Sequence, residues 1–130
     1  MLFLGLDEIV EIHCDQIKRY GGSPNIRDIK LLQSAVAMSE AGFGNDYLHA
    51  DIYEMAAAYL FYIIRNHPFI DGNKRTGAAT AAVFLMLNGI ELHAGDVSFV
   101  RMVRSVAEGK IAKVTVAAFF RKHASEGKHE

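Results

Sequence analysis

The chain has 130 residues, of which 51% are apolar and 22% are charged, and this composition is typical of one globular domain whose core needs no disulfide or structural metal. Its 14 basic residues nearly balance 15 acidic ones, which excludes the broad positive field expected of a protein that binds nucleic acid directly. The longest strongly apolar run, residues 77–87, is too short to cross a membrane, and no secretory signal is recognisable, so we expect a cytoplasmic protein.

Apolar residues recur at helical spacing in six segments, which predicts an all-α fold of about six helices in one compact domain. The predicted helices span residues 7–20, 28–40, 51–66, 73–88, 96–108 and 114–123. The third is apolar on nearly all sides and should lie at the centre of the domain. In the fourth, Gly77 and several alanines should let a neighbouring helix approach closely. Asp96 is predicted to cap the fifth.

The rest of the chain carries weaker signals. Residues 1–124 are predicted to form the domain, and residues 125–130 a polar, frayed tail. The segment 41–50 has no clear period, and its glycines suit turns. The single cysteine, Cys14, excludes an intramolecular disulfide, and its neighbours Ile12 and Ile17 predict that it lies on or near a buried helix face.

The junction between the third and fourth predicted helices combines residue types that bind anions. A proline ends one helix, and a glycine followed by basic residues opens the next, in the run HPFIDGNKRTG at residues 67–77. The first N–H groups of a helix have no intrahelical partner and lie at the positive end of the helix dipole. Gly72 allows a tight turn there, and Asn73, Lys74 and Arg75 add side-chain donors. The run therefore predicts a phosphate site.

Two further residues of the run point to phosphoryl or nucleotidyl transfer. His67 suits a general base for an attacking hydroxyl, and Asp71 suits Mg2+, which binds through one or two carboxylates together with substrate phosphates. Walker-type and kinase-type glycine-rich motifs are missing from the sequence. Plain structural roles remain open, with Asp71 or Asn73 as an N-cap and His67 as a satisfied histidine at a helix end. A zinc site would need more ligands than His67 and Asp71.

The run from His67 to Arg75 resembles the signature of the Fic/Doc family, in which histidine, phenylalanine, an acid, glycine, asparagine, a basic residue and arginine follow in that order. The likeness extends to residues 19–22, 28–37 and 88–89, and so covers nearly the whole chain short of the tail. Size and helix order resemble the Doc (death-on-curing) branch, the toxins of toxin–antitoxin pairs. Lys74 also resembles that branch, because Fic adenylyltransferases usually have a second glycine there, whereas Gly72 is shared with Fic proteins.

The resemblance implies a protein kinase that transfers the γ-phosphate of ATP, with Mg2+, to a hydroxyl of translation elongation factor Tu and so arrests translation. In this interpretation His67 activates the target hydroxyl, Asp71 holds Mg2+, and Phe69 anchors the loop in the core. The nucleotide phosphates would lie on the other residues of the motif, namely Gly72, Asn73, Lys74 and Arg75.

The resemblance also implies a partner chain. The sequence lacks the family's inhibitory motif, a serine or threonine four residues before a glutamate, so inhibition is expected from a cognate Phd-like antitoxin whose disordered segment folds on binding. Residues 38–48 occupy the place of the family's flap, which aligns a target strand by backbone pairing. Two alternatives stay open: an adenylyltransferase on the same fold, and a non-catalytic module that binds an antitoxin.

Overall fold

The computed structural model describes residues 2–40 and 51–126, and within these ranges the predicted all-α class is confirmed. The six helices are α1 (Leu6–Tyr20), α2 (Ile29–Glu40), α3 (Ile52–Asn66), α4 (Asn73–Leu87), α5 (Asp96–Ala107) and α6 (Lys113–His123). Two short strands, β1 (Ile90–Leu92) and β2 (Ala124–Glu126), accompany them. No helix in the described ranges has both the length and the apolar character needed to cross a membrane.

Helix α3 lies at the centre of the domain, as its apolar sequence predicts. It packs against α2, α4 and α6, and smaller contacts join it to α5. Its buried side chains surround the helix axis rather than forming one stripe, and they are Met55, Ala56, Ala57, Ala58, Tyr59, Leu60, Ile63 and Ile64. Because α3 is enclosed by the other helices, its C-terminal end is held in place, and the following loop starts from this end.

The start of α4 packs closely against the end of α3 because Gly77 has no side chain. A Cβ atom at Gly77 would lie 2.9 Å from Cγ1 of Ile64 and 3.2 Å from the carbonyl oxygen of Leu60. The close helix approach predicted from this glycine is therefore confirmed. Since Ile64 and Gly77 lie near the two ends of the connecting segment, the contact fixes both helix ends beside the loop of residues 67–72.

The small antiparallel sheet was not predicted, and it involves part of the predicted tail. Ile90 pairs with Glu126, and Leu92 pairs with Ala124. Beyond the strands, the N–H of His93 donates to the carbonyl of His123 over 2.6 Å. The prediction of a frayed end is thus wrong for residues 125–126, while residues 127–130 lie outside the described ranges. Strands of three residues are too short to show the alternation by which a sequence reveals them.

Two local predictions are also wrong. Asp96 is the first residue of α5 rather than its cap, and Gly95, with extended backbone at φ −66° and ψ 146°, occupies the cap position. Cys14 is exposed, because His13 and Ile17 define the buried face of α1 and Cys14 follows His13 by about a quarter of a turn.

The N-terminus of α3 is held by Asp51, which joins two helices. Its Oδ1 atom accepts the N–H of Glu54 over 2.9 Å, and its Oδ2 atom pairs with Nη2 of Arg121, in α6, over 2.6 Å. Partial burial raises the pKa of Asp51, but the hydrogen bonds from Arg121 and from the Glu54 N–H outweigh burial and lower it overall. The cap therefore contributes stability as a carboxylate.

We expect Asp51→Ala to lower the free energy of unfolding by about 1 to 2 kcal/mol, because it removes a helix cap at the central helix. Asp51→Asn keeps an acceptor for Glu54 and should lose less. Since the pKa of Asp51 is lowered by folding, the deficit of the alanine variant should be full at neutral pH and should shrink as the pH falls below the ordinary value of 3.8. Urea denaturation at neutral pH and at a pH below 3.8 measures the free energy of unfolding of each variant. Asp7→Ala, at an exposed position in α1, is the control, and an equal loss there would contradict the cap role.

Candidate active site

The loop of residues 67–72 begins with His67 in a left-handed backbone conformation. Its φ is 52° and its ψ is 53°, and its N–H donates to the carbonyl of Ile63 over 3.2 Å. It is the one non-glycine residue with positive φ in the described ranges. Such a conformation costs about 1–3 kcal/mol and persists only where surrounding contacts enforce it. Here it turns the chain out of α3 while the imidazole stays exposed at the loop surface.

A second loop, residues 25–28, holds this strained turn in place. The Arg27 side chain donates from Nε to the carbonyl of His67 over 2.7 Å and from Nη2 to the carbonyl of Asn66 over 3.2 Å. The backbone N–H groups of Arg27 and Asp28 both donate to the carbonyl of Pro68, over 2.7 and 3.0 Å. Sequence reasoning missed Arg27, because backbone pairing between two irregular loops produces no periodic pattern.

Phe69 and Asn73 lock the middle of the loop to the start of α4. Phe69 is fully buried, which fits the predicted anchor role. The buried Asn73 amide donates from Nδ2 to the Phe69 carbonyl and accepts the Phe69 N–H at Oδ1, each over 2.9 Å. Both ends of the Asn73 side chain are therefore engaged within the loop. A contact of Asn73 with a phosphate would use its backbone N–H or the second hydrogen of Nδ2.

Asp71 is held at two of its atoms. Its Oδ2 accepts the N–H of Ser23 over 2.8 Å, and its backbone carbonyl lies 2.8 Å from Nε2 of His13. Gly72, with φ 80° and ψ 18°, is the N-cap of α4, so neither Asp71 nor Asn73 has the capping role considered from the sequence. Sequence reasoning did not connect His13 with the loop. The one available signal was its position on the buried stripe of the first helix.

The start of α4 presents donors toward the loop. The N–H of Thr76 is the first in this helix to reach a backbone carbonyl within the turn, that of Gly72 at 2.8 Å, which leaves the preceding N–H groups available. Lys74 is exposed. The Arg75 guanidinium donates to the carbonyls of Gly21 (3.0 Å) and Gln16 (3.4 Å), and so is anchored at the end of α1 with further N–H groups to spare.

Six of the seven site residues predicted from the sequence line one cleft of about 430 Å³, and Phe69 lies beneath it. The lining residues are His67, Asp71, Gly72, Asn73, Lys74 and Arg75, together with Ile64, Ile70 and Ala107. A second cleft of about 340 Å³ shares Lys74 and Arg75 with the first and is otherwise lined by Ala78, Asp96, Phe99, Val100, Val103 and Arg104. The two basic residues thus stand between a polar cleft and a mainly apolar one.

Of the residues that line the polar cleft, Asp71 could contribute a carboxylate oxygen to a metal ion that arrives with a phosphate ligand. Within residues 2–40 and 51–126, no group of three or more His, Cys, Asp or Glu side chains could hold a metal ion. Asp71 has one carboxylate oxygen beyond the one that accepts the Ser23 N–H. One carboxylate beside bound phosphates is the usual protein contribution to Mg2+ binding, whereas zinc needs three or four protein ligands.

Comparison with known proteins gives concordant matches. The model of the Fic/DOC family matches residues 3–85, which is more than half of the chain and includes the whole loop. A protein named "Toxin Doc" from Mycolicibacterium smegmatis is 41% identical over 75 residues, a stretch that spans 58% of this chain and 58% of that protein. A protein named "Protein kinase doc" from Escherichia phage P1 is 29% identical over 122 residues, which cover 94% of this chain and 95% of that protein.

We expect Asn73→Ala to lower the free energy of unfolding by about 1 to 3 kcal/mol, because it leaves the buried N–H and carbonyl groups of Phe69 without their partners. Lys74→Ala, at the next and exposed position, should change stability by less than about 0.5 kcal/mol. Urea denaturation compares the two variants. If Asn73→Ala is as stable as the wild type and loses only nucleotide affinity, its side chain binds phosphate rather than fixing the loop.

Proposed function

The chain belongs to the Fic/Doc family, and we propose that it is a toxin that transfers the γ-phosphate of ATP to a hydroxyl of translation elongation factor Tu. The observation that carries this proposal is the exposed imidazole of His67, fixed by a strained backbone beside the donors at the start of α4. The names of the two relatives, a toxin and a protein kinase, support the same activity. We expect the protein to act in the cytoplasm, where translation takes place.

In the proposed reaction the chemistry is divided between His67 and the donors of α4. The His67 imidazole takes the proton of the target hydroxyl as its oxygen attacks the γ-phosphorus of ATP. The bond between the γ-phosphorus and the bridging oxygen breaks, and ADP leaves. Lys74 and Arg75 neutralise charge on the phosphate chain, together with the unpaired N–H groups of the first turn.

In this proposal Asp71 would hold the Mg2+ ion that arrives with the nucleotide. The ion would neutralise the phosphate oxygens, as Mg2+ does in phosphoryl transfer generally. The Ser23 N–H fixes one carboxylate oxygen of Asp71, so the second is oriented before the nucleotide binds. This chain would thus contribute one oriented carboxylate oxygen to Mg2+ rather than a complete set of ligands.

The apolar cleft favours γ-phosphate transfer over transfer of AMP. Phe99, Val100 and Val103 offer an apolar surface for a nucleobase on the far side of Lys74 and Arg75 from His67. A base bound there places the distal, γ end of the phosphate chain at His67. AMP transfer would require the α-phosphate at His67, with the base on the side of Ile64 and Ile70, which also line the polar cleft. Adenylyl transfer is therefore the second candidate.

A protein partner completes the proposal. We expect a cognate Phd-like antitoxin, because the relatives include a Doc toxin and the sequence carries no inhibitory motif of its own. The segment expected to act as the target-aligning flap, residues 38–48, falls largely outside the described ranges. Its role stays a prediction.

We expect incubation with ATP and Mg2+ to add the mass of one phosphate to purified elongation factor Tu, measured by intact-mass spectrometry. His67→Ala should abolish the addition without loss of helicity, because the side chain is exposed and its backbone contacts remain possible. Addition of AMP would move the protein to the adenylyl-transfer mechanism. An unmodified target together with undiminished toxicity of His67→Ala would support the non-catalytic, antitoxin-binding alternative.

We expect Val100→Asp to weaken ATP binding about tenfold, which corresponds to about 1.4 kcal/mol, because it places a carboxylate in the cleft assigned to the base. Val97→Asp adds the same charge one turn earlier on α5, outside that cleft, and should leave ATP affinity near the wild-type value. Both valines are exposed, so both variants should fold. Calorimetric titration with a non-hydrolysable ATP analogue measures the affinities, and an equal effect of the two substitutions would contradict this placement of the base.

A further inference from the structure

His13 is an ionisable side chain that is buried, with 1% of its surface exposed. It lies on α1, far from the loop in sequence, yet its ring is parallel to that of Phe69, with 3.7 Å between the centroids and 5° between the planes. Its Nε2 atom lies 2.8 Å from the carbonyl oxygen of Asp71. A histidine buried only for packing would not need to contact the loop at two points.

The chemistry of the contact fixes the protonation of the ring. A carbonyl oxygen accepts hydrogen bonds and cannot donate them, so Nε2 of His13 carries the proton. Burial is the main cause that lowers the pKa of His13, the hydrogen bond to Asp71 opposes it, and the nearby Arg75 charge lowers it further. The hydrogen bond from Nε2–H to the Asp71 carbonyl does not require a charge on the ring.

The bond acts on the residue that carries the proposed Mg2+ ligand. Asp71 is fixed at its carbonyl by His13 and at its carboxylate by the Ser23 N–H. Gly72 follows directly in a left-handed turn, and a Cβ atom there would lie 3.7 Å from Cδ2 of His13. The peptide group between Asp71 and Gly72 thus lies next to the His13 imidazole and is hydrogen-bonded to it.

We propose that His13 is a positioning residue for phosphate transfer, which orients the Asp71 carboxylate and the first turn of α4 through its hydrogen bond to the Asp71 carbonyl. This inference rests on the proposed function for its effect on transfer, while its geometric part concerns the free protein. Partners that orient a metal-binding group in this indirect way typically contribute about 10- to 100-fold to affinity or activity.

Two substitutions separate the donor from the ring. His13→Phe keeps a ring for the stack on Phe69 and removes the donor, whereas His13→Gln keeps an N–H near the position of Nε2 and removes the ring. We expect His13→Phe to lower kcat about 10- to 100-fold per folded molecule, with a smaller change in KM for ATP. His13→Gln should recover most of kcat although it is the less stable of the two. Loss of kcat in proportion to loss of stability would overturn the proposal.

Amide hydrogen exchange of the nucleotide-free protein, followed by NMR, tests the geometric part without any transfer reaction. The Ser23 N–H is protected only while Asp71 holds its orientation, so its exchange should accelerate in His13→Phe and stay near the wild-type rate in His13→Gln. Unchanged exchange of Ser23 in His13→Phe would overturn the inference. Because this readout needs no substrate, an inactive wild-type protein would count against the proposed function while the exchange rates still decide the role of His13.

Discussion

The left-handed backbone of His67 is the constraint on which the site depends. A continued right-handed helix would carry the imidazole around α3 and away from the donors of α4. The turn is instead held by the Arg27 side chain, which donates to the carbonyls of Asn66 and His67. The backbone N–H groups of Arg27 and Asp28 also hold it, because both donate to the Pro68 carbonyl. Each such bond contributes about 0.5–1.5 kcal/mol, or more where a charge takes part, so together they can offset a backbone strain of about 1–3 kcal/mol.

The start of α4 carries two positive charges that need compensation. Cations at a helix N-terminus oppose the helix dipole, and α4 begins with two of them. Arg75 is compensated, because its guanidinium binds carbonyls at the C-terminal end of α1 and lies 5.6 Å from the centre of the Tyr20 ring. Lys74 forms no ion pair within residues 2–40 and 51–126. A bound phosphate chain would supply the missing anion, which links the local electrostatics to the proposed substrate.

The helices and most of the cleft-lining residues could be predicted from the sequence, whereas the contacts between distant residues could not. Helical periodicity identified six helices and the central place of α3, and residue chemistry identified the cleft-lining side chains from His67 to Arg75. Periodicity cannot show which distant residues meet, so the contacts of His13 and Arg27 with the loop were missed. Residue type identified Asn73 as a donor to phosphate but could not show that its amide also holds the backbone of Phe69.

The proposed reaction requires that the distal end of the nucleotide faces His67. A crystal structure of this chain with Mg2+ and a non-hydrolysable ATP analogue tests it most directly, through the distances from the His67 imidazole to the phosphorus atoms. We expect the γ-phosphorus to be nearest to the imidazole, with the base against Phe99 and Val100. An α-phosphorus nearest to His67, with the base beside Ile64 and Ile70, would contradict it and assign the site to transfer of AMP.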